Sequence, residues 1–527
     1  MTTHAPLLYR LFLIPLLLLT TLAGSSAALA QSPVASPDAL STAGDLYAGI
    51  IPSMARQVRL ETDGQFPIYT VAGSLVPASE EPSRIEGTMQ LDYINFTDAE
   101  QTELYLRLYP NFKDYGGGSM TMSDVMIDGQ PVAPVFGADS SLATITLPQS
   151  LQPGDRAEVT LDFVTTIPND PVTSYGMFGY FSDTQSYNLA QWMPLLAGWD
   201  PDNGWLLDMP NTVGDPVFSN TAMFDIALTA PTDVTFVTSG VESSADVEGV
   251  LTTHRWTAGP MRDFVISAGT NLAVMEQQVG ETTVRSWYFP GYEDAAAVVL
   301  QYGVDAFTVY SRDFGTYPYT EMDLVQTRLG DQAAGVEFPG IMYIGADHYD
   351  VSSDYLEFTV VHEIAHQWWY GLVGNNQYLH AFTDEAMANE SSMIYKEAID
   401  GPDAAQAWID GFLKRPFLTM LFGQDGDLVV DQPSADFITN GPYGRTVYGK
   451  GALGFDAIRR TIGDDAFFAG LQQYVADHRF GVAQPEDLLA ALESASGQDL
   501  QELWDHWFHR TEGTQDFTPE DLVNLNG

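Results

Sequence analysis

The chain has 527 residues, too many for one ordinary domain, so about two or three are expected. Its 70 acidic against 21 basic residues leave a formal net charge of −49, a field that repels nucleic acid and anionic membrane surfaces and excludes a nucleic-acid function. A hydrophobic share of 45% suffices for buried cores, and the absence of cysteine rules out disulfides and a lipid-modified cysteine.

In chain order, Arg10 precedes an apolar run, Leu11 to Leu22, and small residues lead to Ala28-Leu29-Ala30. That order predicts a secretory signal peptide over 1–30, cleaved near Ala30, and hence export to the periplasm or the medium. The run is short for a bilayer span, and no second stretch is long and apolar enough to cross a membrane, so the mature chain is expected to have no transmembrane segment. Residues 31–65 begin with Ser32-Pro33-Val34-Ala35-Ser36-Pro37 and read as a linker with a short helical patch.

From 66 to 280 the pattern is β. Alternation appears in Thr88–Tyr93, Glu103–Tyr109 and Ala157–Phe163, and returns in Met223–Leu228 and Asp233–Val237. Turn signals separate the runs at Asp128-Gly129, Pro153-Gly154-Asp155 and Pro168-Asn169-Asp170-Pro171. Many strands without a long helical pattern predict packed antiparallel sheets. Between the two sets lies a Trp- and Gly-rich loop, Gln191 to Trp205. From 281 to 527 the period changes, with helices predicted at 295–310, 452–460, 465–478 and 485–494 and a strand at Leu324-Val325.

The chemistry concentrates in His362-Glu363-Ile364-Ala365-His366. On a helix, positions four apart share a face, so both imidazoles can bind one metal ion with Glu363 beside its open side. Glu385 follows His366 after eighteen intervening residues, room for the first helix to end near Gly371 or Gly374 and a second to return alongside. Two histidines and a glutamate form a catalytic zinc set that leaves a fourth position for water. Trp368 and Trp369 read as core, and His380 as an exposed or packing histidine.

With these residues in place, the sequence resembles the M1 family of zinc metallopeptidases, the gluzincin aminopeptidases. His362, Glu363, His366 and Glu385 match the family pattern. Phe314–Tyr319 and Met322–Val325 resemble the entry to its catalytic domain. Ala334-Gly335-Val336-Glu337-Phe338-Pro339-Gly340 is similar to its Gly-x-Met-Glu-Asn segment, and Val447-Tyr448-Gly449-Lys450-Gly451-Ala452 to the segment bearing its tyrosine. The resemblance runs from about Phe66 to Phe508. It implies a multidomain α+β architecture, with an antiparallel β-sandwich-like (saddle) domain before a thermolysin-like, mainly α catalytic domain. It also implies one zinc ion per chain, held by His362, His366 and Glu385, and a zinc-activated water with Glu363 as general base and Tyr448 as oxyanion stabiliser. Glu337, with Gly335 and the weaker candidate Gln191, would bind the substrate, Glu337 holding its free α-amino group. Val336, Phe338 and Ala386 replace residues usual in the family. The expected partners are peptides with a free N-terminus, and the oligomeric state is not implied. Longer relatives carry a C-terminal helical domain, so a short form with a more open cleft is expected. Two rivals stay open: a zinc endopeptidase with the same site, and a non-catalytic binding module stabilised by zinc.

Overall fold

The computed structural model describes residues 44–78, 82–173, 175–207, 213–215, 217–331 and 333–526. The leader expected at 1–30, and the linker up to residue 43, lie outside the described residues. The described part of 31–65 does not hang free. Helix α1 (Pro52–Thr62) follows Ile51, whose amide donates to the Pro318 carbonyl at 2.8 Å, and Tyr47, Ile50, Ile51 and Val58 are buried. Four apolar or aromatic side chains within a dozen residues gain more from burial than a polar tether would.

The alternating first half forms an eight-stranded sheet. Its spatial order is 241–248, 251–261, 222–231, 68–76, 84–94, 156–166, 119–127 and 130–131. In the strand Arg156–Thr166, Ala157, Val159, Leu161 and Phe163 all point into the core, the period of two that the sequence shows. Asp128 and Gly129 both take positive φ and close the hairpin to Gln130, a two-residue turn whose twist matches its strands. All pairs are antiparallel except Ile68–Val76 beside Ala222–Pro231, which run parallel. Ala222–Pro231 is buried almost throughout, so its own pattern carries no alternation that would set its pairing. Two four-stranded sheets and the short pair Trp199–Asp200 with Gly204–Trp205 make up the rest of the described sheets in this half.

The second half is built on a five-stranded mixed sheet, ordered 273–279, 282–288, 321–327, 341–345 and 335–336. The hairpin 273–288 therefore straddles the place where the sequence turns helical. Helices α2 (Glu293–Asp313), α3 (Asp354–Ala365) and α4 (Phe382–Asp400) follow, and α3 packs against both others. The later predicted helices appear as Gly451–Ile462, Asp464–His478 and Pro485–Ser496. Helix α3 stops at Ala365, earlier than Gly371. From there the chain turns through Tyr370, which has φ 94°, and Gly371 donates back to the His366 carbonyl at 2.8 Å. Among the described residues no helix is long and apolar enough to cross a membrane.

The β region is fastened to the turn after α3. Arg262, 2% exposed, donates to the carbonyls of Tyr370 (2.6 Å), Ser219 (3.2 Å) and Gly481. Tyr343 donates to Ile266 at 2.7 Å, and Asn376 donates to Asp200 at 2.9 Å. Buried bonds of this kind are costly to leave half-made, so they hold the two halves in one register around the site.

Candidate active site

Helix α3 starts at Ser353, whose hydroxyl accepts the Tyr355 amide, and delivers His362 and Glu363 in its last turn. His366 caps its end, and Glu385 comes from the first turn of α4. The three side chains are buried and converge. His362 Nε2 and His366 Nε2 are 3.1 Å apart, and each lies 3.3 Å from Glu385 Oε2. Ligands about 2.0–2.1 Å from a tetrahedral ion stand roughly 3.3 Å from one another, so this triangle fits zinc. Glu385 Oε2 has no hydrogen-bond partner although buried, and two imidazole nitrogens face each other, an arrangement that a cation between them satisfies. His366 Nδ1 lies 3.2 Å from the Trp369 carbonyl, which fixes the tautomer leaving Nε2 a lone pair.

The charges of the set interlock. Burial alone would lower the pKa of His366, but the Glu385 carboxylate 3.3 Å away, with Glu337 and Asp384 behind it, raises it to about 10. For His362 burial prevails over Glu385, and the pKa falls. Glu385 would rise on burial, yet the two imidazoles hold its carboxyl well below the carboxylate range. Glu363 is pushed well above that range by burial first and then by Glu337, an environment that makes the carboxylate a stronger base. A divalent ion at the three ligands opposes that rise.

A cavity of about 420 Å³ opens over the set. Glu363, Gly335, Glu337 and Tyr448 all line it with the three ligands, so the structure brings together most residues singled out in the sequence. Gly335 and Val336 form the edge strand paired to Tyr343 and Ile344, which sets Glu337 at the wall. A Cβ on Gly335 would overlap the Glu363 carboxylate, so the bare backbone makes room for the base. Burial, then Glu385, raise the Glu337 pKa, with His366 opposing. Tyr448 sits in a π-helical stretch, Gly444–Lys450, and its hydroxyl donates to Glu385 Oε1. Gly451 lets that stretch close on α4, where an added Cβ would stand 2.8 Å from the Ala386 Cβ.

Gln191 is placed differently. It is 1% exposed, its Oε1 accepts the Tyr115 hydroxyl at 2.7 Å and its Nε2 donates to Asp263. Both ends of the amide are engaged, and Gln191 is not among the cavity-lining residues. Lys450 is a buried strut, bound to Asp427 and to the carbonyls of Leu428 and Arg510. Trp368 and Trp369 are core, bonded to the Gly315 carbonyl and the Ser391 hydroxyl. His380 lies 2.6 Å from Asp431 and takes no part in the ligand set.

Asn389, Tyr443, Tyr175 and Asp215 are among the lining residues that the sequence did not single out. Asn389, one turn after Glu385, stands beside His362 and donates to the Tyr448 carbonyl at 3.0 Å, and its i+4 spacing could have revealed it. Tyr443 precedes Tyr448 by five residues, whereas Tyr175 and Asp215 arrive on loops of the β region with no local signature. Phe358 stacks on Phe412, ring centroids 4.4 Å apart, and both add apolar surface to the cavity lining.

Residues 300–507 match the family model described as the Peptidase family M1 domain. Aminopeptidase 2 of Candida albicans is 21% identical over 465 residues, covering 85% of this chain and 49% of its own length. Aminopeptidase N of Streptomyces lividans is 29% identical over 174 residues, covering 32% and 20%. The chain spans about half or less of the length of these curated relatives. The crystal structure of an M1 zinc metallopeptidase from Deinococcus radiodurans superposes with a TM-score of 0.61 at 20% identity, over 84% of this chain and 93% of that one. A two-domain M1 zinc metallopeptidase mutant bound to L-tryptophan gives 0.62 at 19%, over 85% and 94%. At these identities the likeness establishes a shared two-domain fold.

Proposed function

We propose, from the premise that residues 300–507 are a peptidase family M1 domain, that the chain is an exported zinc aminopeptidase releasing N-terminal residues from peptides. One observation carries this reading: Glu337 and Glu363 line a single cavity with the His362, His366 and Glu385 triangle. A zinc ion held by that triangle would supply a Lewis acid beside Glu363.

The rest follows from the chain's own side chains. Glu363 takes a proton from the attacking water and returns it to the leaving nitrogen. Tyr448 gives its hydroxyl hydrogen bond to the oxyanion of the tetrahedral adduct, exchanging its contact with Glu385 for one made only in the transition state. Glu337 binds the substrate's α-ammonium, since a cation entering a desolvated cavity needs a carboxylate partner. The edge strand Gly335-Val336 offers backbone groups along which an extended peptide can lie. The phenylalanine wall and the cavity volume suit one apolar residue and the adjoining peptide bond.

A panel of amino-acid arylamides tests this directly. The purified protein is expected to hydrolyse those with a free α-amine, to lose activity to a chelator and to recover it with zinc. Hydrolysis insensitive to the chelator contradicts the zinc assignment, and no hydrolysis of any free-amine substrate contradicts the aminopeptidase assignment.

A further inference from the structure

Arg445 lines the cavity, and nothing in the mechanism above uses it. Among the described lining residues it is the one lysine or arginine, in company with the carboxylates of Asp215, Glu337, Glu363 and Glu385. It pairs with none of them, and among the described residues no carboxylate or carbonyl accepts a hydrogen bond from its guanidinium. Half-buried arginines elsewhere are engaged: Arg285 holds Glu276 and Glu321, and Arg459 holds Glu397 and Asp464. In a chain with 70 acidic residues partners are plentiful, so a half-buried guanidinium with its N–H donors unpaired is exceptional and leaves room for an incoming anion.

Its place in the cavity is set by the element that also carries Tyr448. Arg445 and Tyr448 lie three residues apart in the π-helical stretch Gly444–Lys450, and both line the cavity, so they share one face of it. That stretch packs against Ile409–Lys414 and Arg415–Leu421, which add Phe412 and Pro416 to the lining. Glu337 comes from a different element, next to the edge strand Gly335-Val336 that packs against α3. Three helical residues span about 4.5 Å, and an extended peptide advances about 3.3–3.6 Å per residue. With a peptide's amine at Glu337 and its first carbonyl oxygen at Tyr448, a long side chain three residues from Tyr448 reaches one or two residues past the cleaved bond.

We propose that Arg445 is a specificity-determining residue that binds a carboxylate on the leaving portion of the peptide, supplied by its C-terminus or by an acidic side chain. The inference rests on the aminopeptidase reading and deepens it, adding a preference for peptides that are very short or acidic beyond the first residue. A guanidinium meets a carboxylate with two parallel N–H bonds, a match that fixes orientation as well as charge. The net charge of −49 works against any anionic ligand. A preference for carboxylate-bearing substrates therefore needs a local cation, and Arg445 supplies it.

The test measures kcat/KM for two matched pairs, Leu-Ala against Leu-Ala amide and Leu-Glu amide against Leu-Gln amide, in wild type, R445Q and R445K. The first pair reads a C-terminal carboxylate and the second an acidic side chain. Wild type is expected to favour the carboxylate-bearing member of at least one pair by about 10-fold or more, the scale of a hydrogen bond to a charged group. R445Q should bring that ratio to unity or below. Each ratio is taken within one protein, so a general loss of activity or of zinc cancels. Should R445Q fail to fold, R445K reads the same contact, keeping the charge but losing the two-bond fork, and should lower the ratio part-way. Wild-type ratios near unity for both pairs, or a preference that the Arg445 variants retain in full, overturns the proposal and leaves the aminopeptidase reading standing. Failure of the wild type to hydrolyse any of the four substrates removes both.

Discussion

In the proposed function Glu363 takes a proton from a water beside the ligand set. Its position one residue after His362 supplies the closeness, and the cavity they share sets Glu337 near it. Replacing it with glutamine keeps the shape and removes the proton acceptor. E363Q is therefore expected to bind zinc as the wild type does while turnover falls about 10²- to 10⁴-fold, with metal analysis and steady-state kinetics as the two readouts. Y448F should cost about 10²- to 10³-fold in kcat, since one oxyanion donor is lost. A Y448F enzyme with full kcat would return Tyr448 to a packing role. The residues legible in sequence were those whose geometry is local. His362, Glu363 and His366 need only one helix turn, and Glu385 needs only a second helix running back. Asn389 was equally available one turn beyond Glu385. Gln191 was not, because its fate depends on Tyr115 and Asp263 reaching it from distant segments.

At the scale of elements, the mixed sheet carries an acidic group that tests its packing. Asp323 is 3% exposed, accepts the Trp287 indole N–H at 2.7 Å and lies 3.7 Å from Arg285 Nη1. Burial outweighs Arg285 and raises its pKa from 3.8 to about 7. The folded chain thus holds this proton more tightly than the unfolded one. The stability it contributes is complete below about pH 4 and is lost as pH rises through about 7. D323N, which cannot ionise, is expected to gain on the wild type across that window, by on the order of a few kcal/mol at pH 8. Denaturant titrations at pH 5 and pH 8 read the difference, and a constant gap between the two chains would contradict the burial argument. Helix and strand placement was readable from periodicity to within a few residues, as at Asp464–His478. The stop of α3 at Ala365 was not, because it depends on a Tyr370 turn held by Arg262 from the β region.

For the whole molecule, 70 acidic residues on a chain with 21 basic ones make self-repulsion a general opponent of the folded state. Salt screens that repulsion within a Debye length, so Tm is expected to rise by a few degrees between about 0.01 and 0.5 M sodium chloride. A flat or falling Tm would mean that the described ion pairs, such as Arg285 with Glu276 and Glu321, outweigh it. The two-part architecture was legible because strand and helix periods change along the chain. The parallel pairing of Ile68–Val76 with Ala222–Pro231 was not, nor was the arrival of Asp215 at the cavity, since both join segments far apart in sequence. In the proposed function the site measures from a peptide's amino end. Time-resolved mass spectrometry of one peptide, offered with a free and with an acetylated N-terminus, tests it most directly. Stepwise loss of first residues from the free peptide, with the acetylated one intact, is the outcome expected from Glu337. Internal cleavage of both at similar rates would contradict it.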